Sequence, residues 1–308
     1  MSPTESLHTD SAFDHDVVIV GGGPAGCAAG VLTARYDLDT VIFDRGRSSI
    51  QRCAHLENYL GFPAGIDVET LYGLMHDHAE AAGCEIVSDL VDSLERPDDG
   101  RGFVVSVQEG TQVTARRVIA ATRYDGEYMR GLDDDAAMFE THEHDGEEHE
   151  HFDKGYAESD GTTPVDGLFI ASPYGETGYQ ASMAAGHGTR VGITVVEAVR
   201  RGRGYPEPVT NYYDWMRREA ELDGEWSDRS RWREYFDDRL GDQHELDEEQ
   251  LGRLREREID RRLATYLTED EVDRRRERGH KRLLEHLDDD IVLEAAREIE
   301  AEKPIGGE

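Results

Sequence analysis

Residues 17–30, VVIVGGGPAGCAAG, set Gly21, Gly23 and Gly26 in a G-x-G-x-x-G spacing between an apolar run and a stretch of small residues, with Gly30 following. Each glycine has a physical task in such a turn. Gly21 permits the tight turn, Gly23 lets a pyrophosphate approach the backbone, and Gly26 lets a helix lie close on the preceding strand. Pro24 and Ala25 open that helix, whose positive N-terminal end then faces the anion. Asp44 closes the next apolar run, about 20 positions on, where a carboxylate can accept hydrogen bonds from an adenosine ribose. Strand, glycines, helix, strand and acid together predict a dinucleotide-binding βαβ unit.

A second cluster stands in HEHDGEEHEH, residues 142–151. His142, His144, His149 and His151 are residue types that suit zinc, nickel or copper. A metal needs ligands held in geometry, and histidines two apart in an acid-dense stretch around a glycine show no scaffold for it. The expectation is a solvated linker with no metal site. Cys27, Cys53 and Cys84 are odd in number and widely spaced, as reduced thiols are, rather than paired as in a disulfide framework or zinc site.

The elements that must position these residues follow from hydrophobic period. Val17-Val18-Ile19-Val20 and Thr40-Val41-Ile42-Phe43 are buried strands flanking a helix over 24–36. Residues 67–83 read as a helix with Leu71, Leu74, Met75 and His78 along one side, followed by a strand at 85–87. Residues 103–107 and 112–122 alternate like antiparallel strands joined at Glu109-Gly110. Between 124 and 160 the pattern dissolves into acid, histidine and glycine, and no packed core is expected. Leu168-Phe169-Ile170-Ala171 is a further strand, and a helix rich in small residues runs from 178 to 201. Beyond Gly204 comes a charged helical tail, with Leu251, Leu254, Ile259, Leu263 and Leu267 at helical spacing and Thr268 with Glu271 as a capping box. Tyr212, Tyr213, Trp215, Trp226, Trp232, Tyr235 and Phe236 form an aromatic cluster early in that tail, suited to covering a bound group or making a homodimer.

Composition bounds the function. Asp and Glu number 68 against 34 Lys and Arg, a net charge of −34 over 308 residues, and the acids are spread from Asp10 to Glu308. Such a surface predicts a protein kept soluble in concentrated salt, where screening acts within about 3 Å at 1 M. It argues against nucleic acid and anionic membranes as partners, because phosphate binding needs basic patches. No signal peptide or membrane span is legible, which predicts a cytoplasmic protein.

At this point the chain resembles the thioredoxin reductase branch of the FAD-dependent pyridine nucleotide-disulfide oxidoreductases. Glu57-Asn58-Tyr59-Leu60-Gly61-Phe62-Pro63 is similar to that family's ENYPGFP segment, whose asparagine approaches the flavin. Val118 to Thr122 resembles the strand ending in Ala-Thr-Gly that closes over FAD, with Arg123 in the place of the glycine. Residues 163–171 resemble the approach to the second FAD strand; Gly178-Tyr179-Gln180-Ala181 and Ala184-Ala185-Gly186-His187-Gly188 resemble the opening of the last helix. That helix start would lie near the flavin, where its positive end can stabilise charge.

The resemblance implies an α/β fold: a Rossmann-like, three-layer FAD-binding domain with parallel sheet and antiparallel meander, plus a helical C-terminal extension. Its expected parts are a mobile N-terminus (1–14), a discontinuous FAD domain (15–128 and 160–203), a His-rich linker (129–159) and the extension (204–308). It implies FAD as cofactor, held by Gly21, Gly23, Pro24, Ala25, Gly26, Asp44, Arg45, Arg52, Asn58, Val91, Thr122, Gln180 and Ala181. Cys53 would run beside the flavin as a single redox thiol, its thiolate favoured by Arg52 or His55; a small core-facing cysteine is the alternative. Cys27 and Cys84 read as packing residues. His187 either contacts flavin or substrate or packs among its small neighbours.

Departures from the family are equally legible. Residues 125–162 hold neither a second G-x-G-x-x-G nor a Cys-x-x-Cys, where the family carries a whole nicotinamide domain. Ser172-Pro173 stands where the family has the Gly-Asp that holds the ribityl chain. The expectation is therefore an FAD oxidoreductase other than a conventional thioredoxin reductase, with electron donor and acceptor unknown. The alternatives are a non-catalytic flavin- or nucleotide-binding module whose tail engages a partner, and a nicotinamide-binding protein using the first motif for NAD.

Overall fold

The computed structural model describes residues 13–302 apart from 47, 124–125, 145–146, 173–179 and 243, and only the backbone of the hairpin residues within 142–148. Pro173, Gly178, Tyr179 and most of the N-terminal segment expected to be mobile thus lie outside the described residues. The chain divides into two units, Met1–Ala198 and Val199–Glu308.

In the first unit β1 (His15–Val20), α1 (Pro24–Arg35) and β2 (Thr40–Phe43) form the expected βαβ start. β3 (His55–Leu56) and β4 (Ile66–Asp67) make a small antiparallel ribbon ahead of α2 (Val68–Ala82). The Asp67 side chain caps α2 by accepting from Thr70 N, and Gly83 ends it at φ 113°, where a Cβ would be strained. Then come β5 (Glu85–Val87), β6 (Val91–Glu95), β7 (Phe103–Val107) and β8 (Gln112–Ala121).

The main sheet has seven strands in the order β5-β2-β1-β8-β7-β6, with β11 (Leu168–Ser172) also on β8. Strand β8 decides this arrangement because it serves two neighbours on one side. Its first half pairs antiparallel with β7, while residues 118–121 pair parallel with β11; β1 runs along its other edge from His15↔Ala115 to Val20↔Ala120. Parallel β1, β2, β8 and β11 therefore end at the same edge of the sheet, where open α/β folds bind ligands. Val17, Val18, Ile19, Val118, Ile119 and Ala120 are fully buried, as strands covered on both faces must be.

Residues 129–159 are not a solvated linker. After α3 (Asp135–Met138), β9 (Phe139–His144) and β10 (Glu147–Phe152) form an antiparallel hairpin, with His149 opposite His142 and Phe152 opposite Phe139. Phe139 and Phe152 meet edge to face, 6.0 Å between ring centres, and with Met129, Met138 and Tyr128 they join the hydrophobic core of the main sheet. Phe139 and Phe152 anchor the open end of the hairpin, while His149, Glu150 and His151 are exposed, the two histidine rings stacking at 6.4 Å. The scaffold missing from the sequence pattern is this strand pairing. Among the described residues no group of three or more His, Cys, Asp or Glu side chains is poised to hold a metal.

Helix α4 (Ala181–Gly202) starts in this unit and lies against α1: a Cβ at Gly188 would stand 2.0 Å from the Ala25 carbonyl oxygen, and one at Gly192 2.9 Å from that of Ala29. The small residues of α4 thus set the distance between the two helices.

In the second unit β12 (Arg217–Arg218) pairs parallel with β13 (Tyr266–Leu267), and α5 (Arg229–Leu240), α6 (Glu248–Leu263), α7 (Glu269–Leu284) and α8 (Asp289–Glu302) follow the expected helical pattern. Tyr205, Val209, Phe236, Leu240 and Leu254 form its core. Trp226, Trp232 and Tyr235 pack on one another, with 4.9 Å between the tryptophan rings, whereas Tyr213 and Trp215 are exposed. Among the described residues no helix is long and apolar enough to cross a membrane.

Candidate nucleotide-binding site

The carboxyl ends of β1, β2 and β8 open into a cavity of about 750 Å³. Gly21, Gly23, Pro24, Ala25, Asp44, Arg45, Arg52, Cys53, Asn58, Val91, Thr122, Gln180 and Ala181 all line it. Five separated stretches of chain thus converge on one space. Gly26 does not line the cavity; a Cβ there would stand 1.8 Å from the Gly21 carbonyl oxygen, so its task is the close approach of helix to turn. Gly21 sits at φ 112° with its Cβ position 2.6 Å from the Ala121 carbonyl, a conformation and a clearance that only glycine meets. Gly23 caps α1, and both α1 and α4 begin at the cavity, bringing two positive helix ends to it.

Asp44 is 6% exposed, and its charge is retained by hydrogen bonds. Gly46 N donates to Oδ1 at 3.1 Å, Tyr72 Oη donates to Oδ2, and His76 Nε2 lies 3.3 Å from Oδ2. Burial pushes the Asp44 carboxyl up, but the bonds from His76, Tyr72 and Gly46 outweigh it and hold the group below the usual carboxylate range. The bond to Asp44 raises His76 above the ordinary histidine value against the opposing effect of burial. Burial, with the bond to Asp44, pushes the Tyr72 hydroxyl well up, so it remains a donor.

Tyr72 and His76 are the site residues that sequence reasoning missed. They sit four apart on α2, rings 4.4 Å between centres, and that spacing was the available signal. The expected apolar face of Leu71, Leu74 and Met75 packs in a hydrophobic cluster, whereas His78 is exposed; Tyr72 and His76 lie on another face of α2, against Asp44. Tyr72 and His76 act through Asp44 and do not line the cavity; Ser48, Ser49 and Arg123, likewise not singled out as site residues in the sequence, do. Asn58 Nδ2 donates to Gln180 Oε1 at 2.7 Å, joining two expected flavin contacts 122 positions apart. Thr122 Oγ1 is 3.2 Å from the Tyr128 hydroxyl.

Cys53 is exposed at the cavity wall, so the core-facing alternative does not hold. Cys27 and Cys84 are buried, and burial first of all pushes each thiol up to about 12, which keeps them protonated. His187 lies on α4 outside the cavity lining, where burial lowers it against a bond with the Ile170 backbone.

The arrangement can hold an extended ligand with an anionic middle and a ribose at Asp44. Thioredoxin reductase of Bacillus subtilis is 33% identical over 109 residues, 35% of this chain and 33% of that protein. Over that stretch the chain is similar to thioredoxin reductases. The bifunctional thioredoxin reductase/thioredoxin of Mycobacterium leprae is likewise 33% identical over 135 residues, 42% of this chain and 28% of that one. The chain therefore spans about a third of the length of the curated relatives it matches. A thioredoxin reductase structure from Gloeobacter violaceus superposes with a TM-score of 0.51 at 18% identity, covering 66% of this chain and 98% of that one, which shows the shared fold. No protein-family model matches the chain. The thioredoxin reductase-like fold is the mixed α/β arrangement that the sequence predicts.

Proposed function

We propose that the protein is an FAD-dependent oxidoreductase distinct from a conventional thioredoxin reductase. The observation that carries the reading is the convergence of Gly21, Asp44, Asn58, Thr122 and Gln180 on one cavity of about 750 Å³. That volume lies within the range of about 300–1,000 Å³ for cofactor sites, and a Cβ at Gly21 or Gly26 would close the turn that cradles the pyrophosphate. The backbone from Gly21 to Ala25 would hold the pyrophosphate, Asp44 the ribose, and Asn58, Thr122, Gln180 and Ala181 the flavin end, with Arg45, Arg52 and Val91 along the walls. When bound, FAD would supply electron transfer between an unidentified donor and acceptor. Asp44 stays ionised through its three partners, and α4 turns its positive end to the cavity. Cys53 is the protein thiol exposed to it.

Absence of Cys-x-x-Cys and of a second G-x-G-x-x-G in residues 125–162 supports the distinction from a conventional reductase. A non-catalytic flavin module is the second reading, favoured by one observation. Helices α7 and α8 expose Leu283, Leu284, Ile291, Leu293 and Ile299, apolar residues suited to a partner or a second copy. The visible spectrum of the purified protein, followed by anaerobic NADH or NADPH, separates these readings. A flavin spectrum that bleaches supports the oxidoreductase, one that does not supports the module or another donor, and no flavin sinks the FAD assignment. Cys53→Ser is expected to abolish turnover with flavin retained; unchanged turnover would remove Cys53 from the mechanism.

A further inference from the structure

Among the described residues Asp37 and Arg123 are the non-glycine residues at positive φ, 60° and 59°. An aspartate tolerates the left-handed region because its short polar side chain bonds locally; an arginine has no such relief. A strained backbone in a cavity wall is an observation that points to a task for its side chain. Arg123 lines the cavity and follows Ala121 and Thr122, where β8 presses against the glycine turn: the Ala121 carbonyl oxygen is 2.6 Å from the Cβ position of Gly21. Its Nη1 donates to Ser49 Oγ at 3.1 Å. The neighbouring Ser48 Oγ is 2.7 Å from the Cβ position of Gly23, the residue that caps α1. Guanidinium, two hydroxyls and a helix start thereby share one wall.

We propose that Arg123 is a phosphate-holding residue, whose guanidinium, beside Ser48 and Ser49, takes the diphosphate of a dinucleotide lying over Gly23. The assignment rests on the nucleotide reading above and adds to it a side chain that holds the diphosphate. A guanidinium matches phosphate oxygens with charge-assisted, paired hydrogen bonds, which a hydroxyl or a backbone amide does not. The left-handed backbone aims the side chain back toward Ser49, and strain in the free protein is the cost of that aim.

The test uses ADP and adenosine, which differ only in the diphosphate, titrated calorimetrically into the full chain and into R123G, R123M and R123K. The unmutated protein binds ADP more tightly than adenosine. R123G and R123M weaken ADP about tenfold or more, leave adenosine unchanged, and R123K retains part of the difference. Glycine accepts the backbone angle, so R123G also raises the melting temperature of the ligand-free protein by about 2 °C, whereas R123M does not. ADP affinity that is unchanged in R123G and R123M overturns the proposal, as does equal weakening of ADP and adenosine. Failure of the unmutated protein to bind ADP overturns the dinucleotide reading itself, and the assignment with it.

Discussion

His76 Nε2 lies 3.3 Å from Asp44 Oδ2 and 3.0 Å from the Gly22 carbonyl oxygen, so one ring nitrogen ties α2 to both the acid and the glycine turn. Asp44, the carboxylate assigned to the ribose, is thereby held with Oδ2 engaged by Tyr72 and His76, Oδ1 by Gly46 N, and its charge retained. The pair has a pH dependence with a definite sign. His76 is raised, so its stabilising effect is full below the unfolded value of about 6.5 and lost as pH rises through the folded value. Asp44 is depressed, so its effect is lost only as pH falls well into the acid range. Urea unfolding of His76→Asn is expected to show a deficit of about 1–2 kcal/mol at pH 6 that shrinks by pH 9. An equal deficit at both values would count against the ion pair.

Gly26 and Gly188 make the closest backbone approaches of α1 and α4, at 1.8 and 2.0 Å from a would-be Cβ, while Gly186 on α4 has nothing within 4 Å. Gly26→Ala and Gly188→Ala should each destabilise by about 2 kcal/mol or more. Gly186→Ala should stabilise by about 0.5–1 kcal/mol, because an unobstructed helical alanine restricts the unfolded chain. Melting temperatures of the three variants check this, and similar losses in all three would show that helix packing is not the cause.

Asn58 and Gln180 are exposed partners, so their bond contributes little to folding; its effect belongs to the cavity. Asn58→Ala and Gln180→Ala should each shift stability by under about 1 kcal/mol yet weaken FAD retention. The double variant should lose less than the sum of the two. Strictly additive losses, read by flavin fluorescence in dialysis, would separate the two residues.

Glu258 in the second unit is 3% exposed and accepts from Arg200 at 3.0 Å, with Arg261 and Arg262 on its other oxygen. Burial pushes it up, but these three cations outweigh burial and hold it below the usual range. Glu258→Ala leaves Arg200 buried without its carboxylate and should cost about 3–5 kcal/mol, most of which Arg200→Met with Glu258→Leu should recover. Because Glu258 is depressed, its contribution is present above about pH 4.3 and lost as pH falls. A single variant as stable as the parent in guanidinium titration would contradict the pairing.

Much of the fold and site was legible in residue order because the deciding interactions are local. The period of Val17 to Val20 and the glycines at 21, 23 and 26 act within one turn of chain, and the structure places Asp44 at the same cavity edge. The hairpin was not legible. Phe139 and Phe152 meet only when their strands pair, and each strand has a single apolar residue among acids and histidines, a composition typical of solvated loops. Tyr72 and His76 were not singled out because helical spacing names a face without saying what packs on it. Local propensity and turn chemistry are short-range and are written along the chain. The approach of α2 to Asp44, the strain at Arg123 and the docking of the hairpin depend on contacts between distant segments, and those exist only once the core has closed.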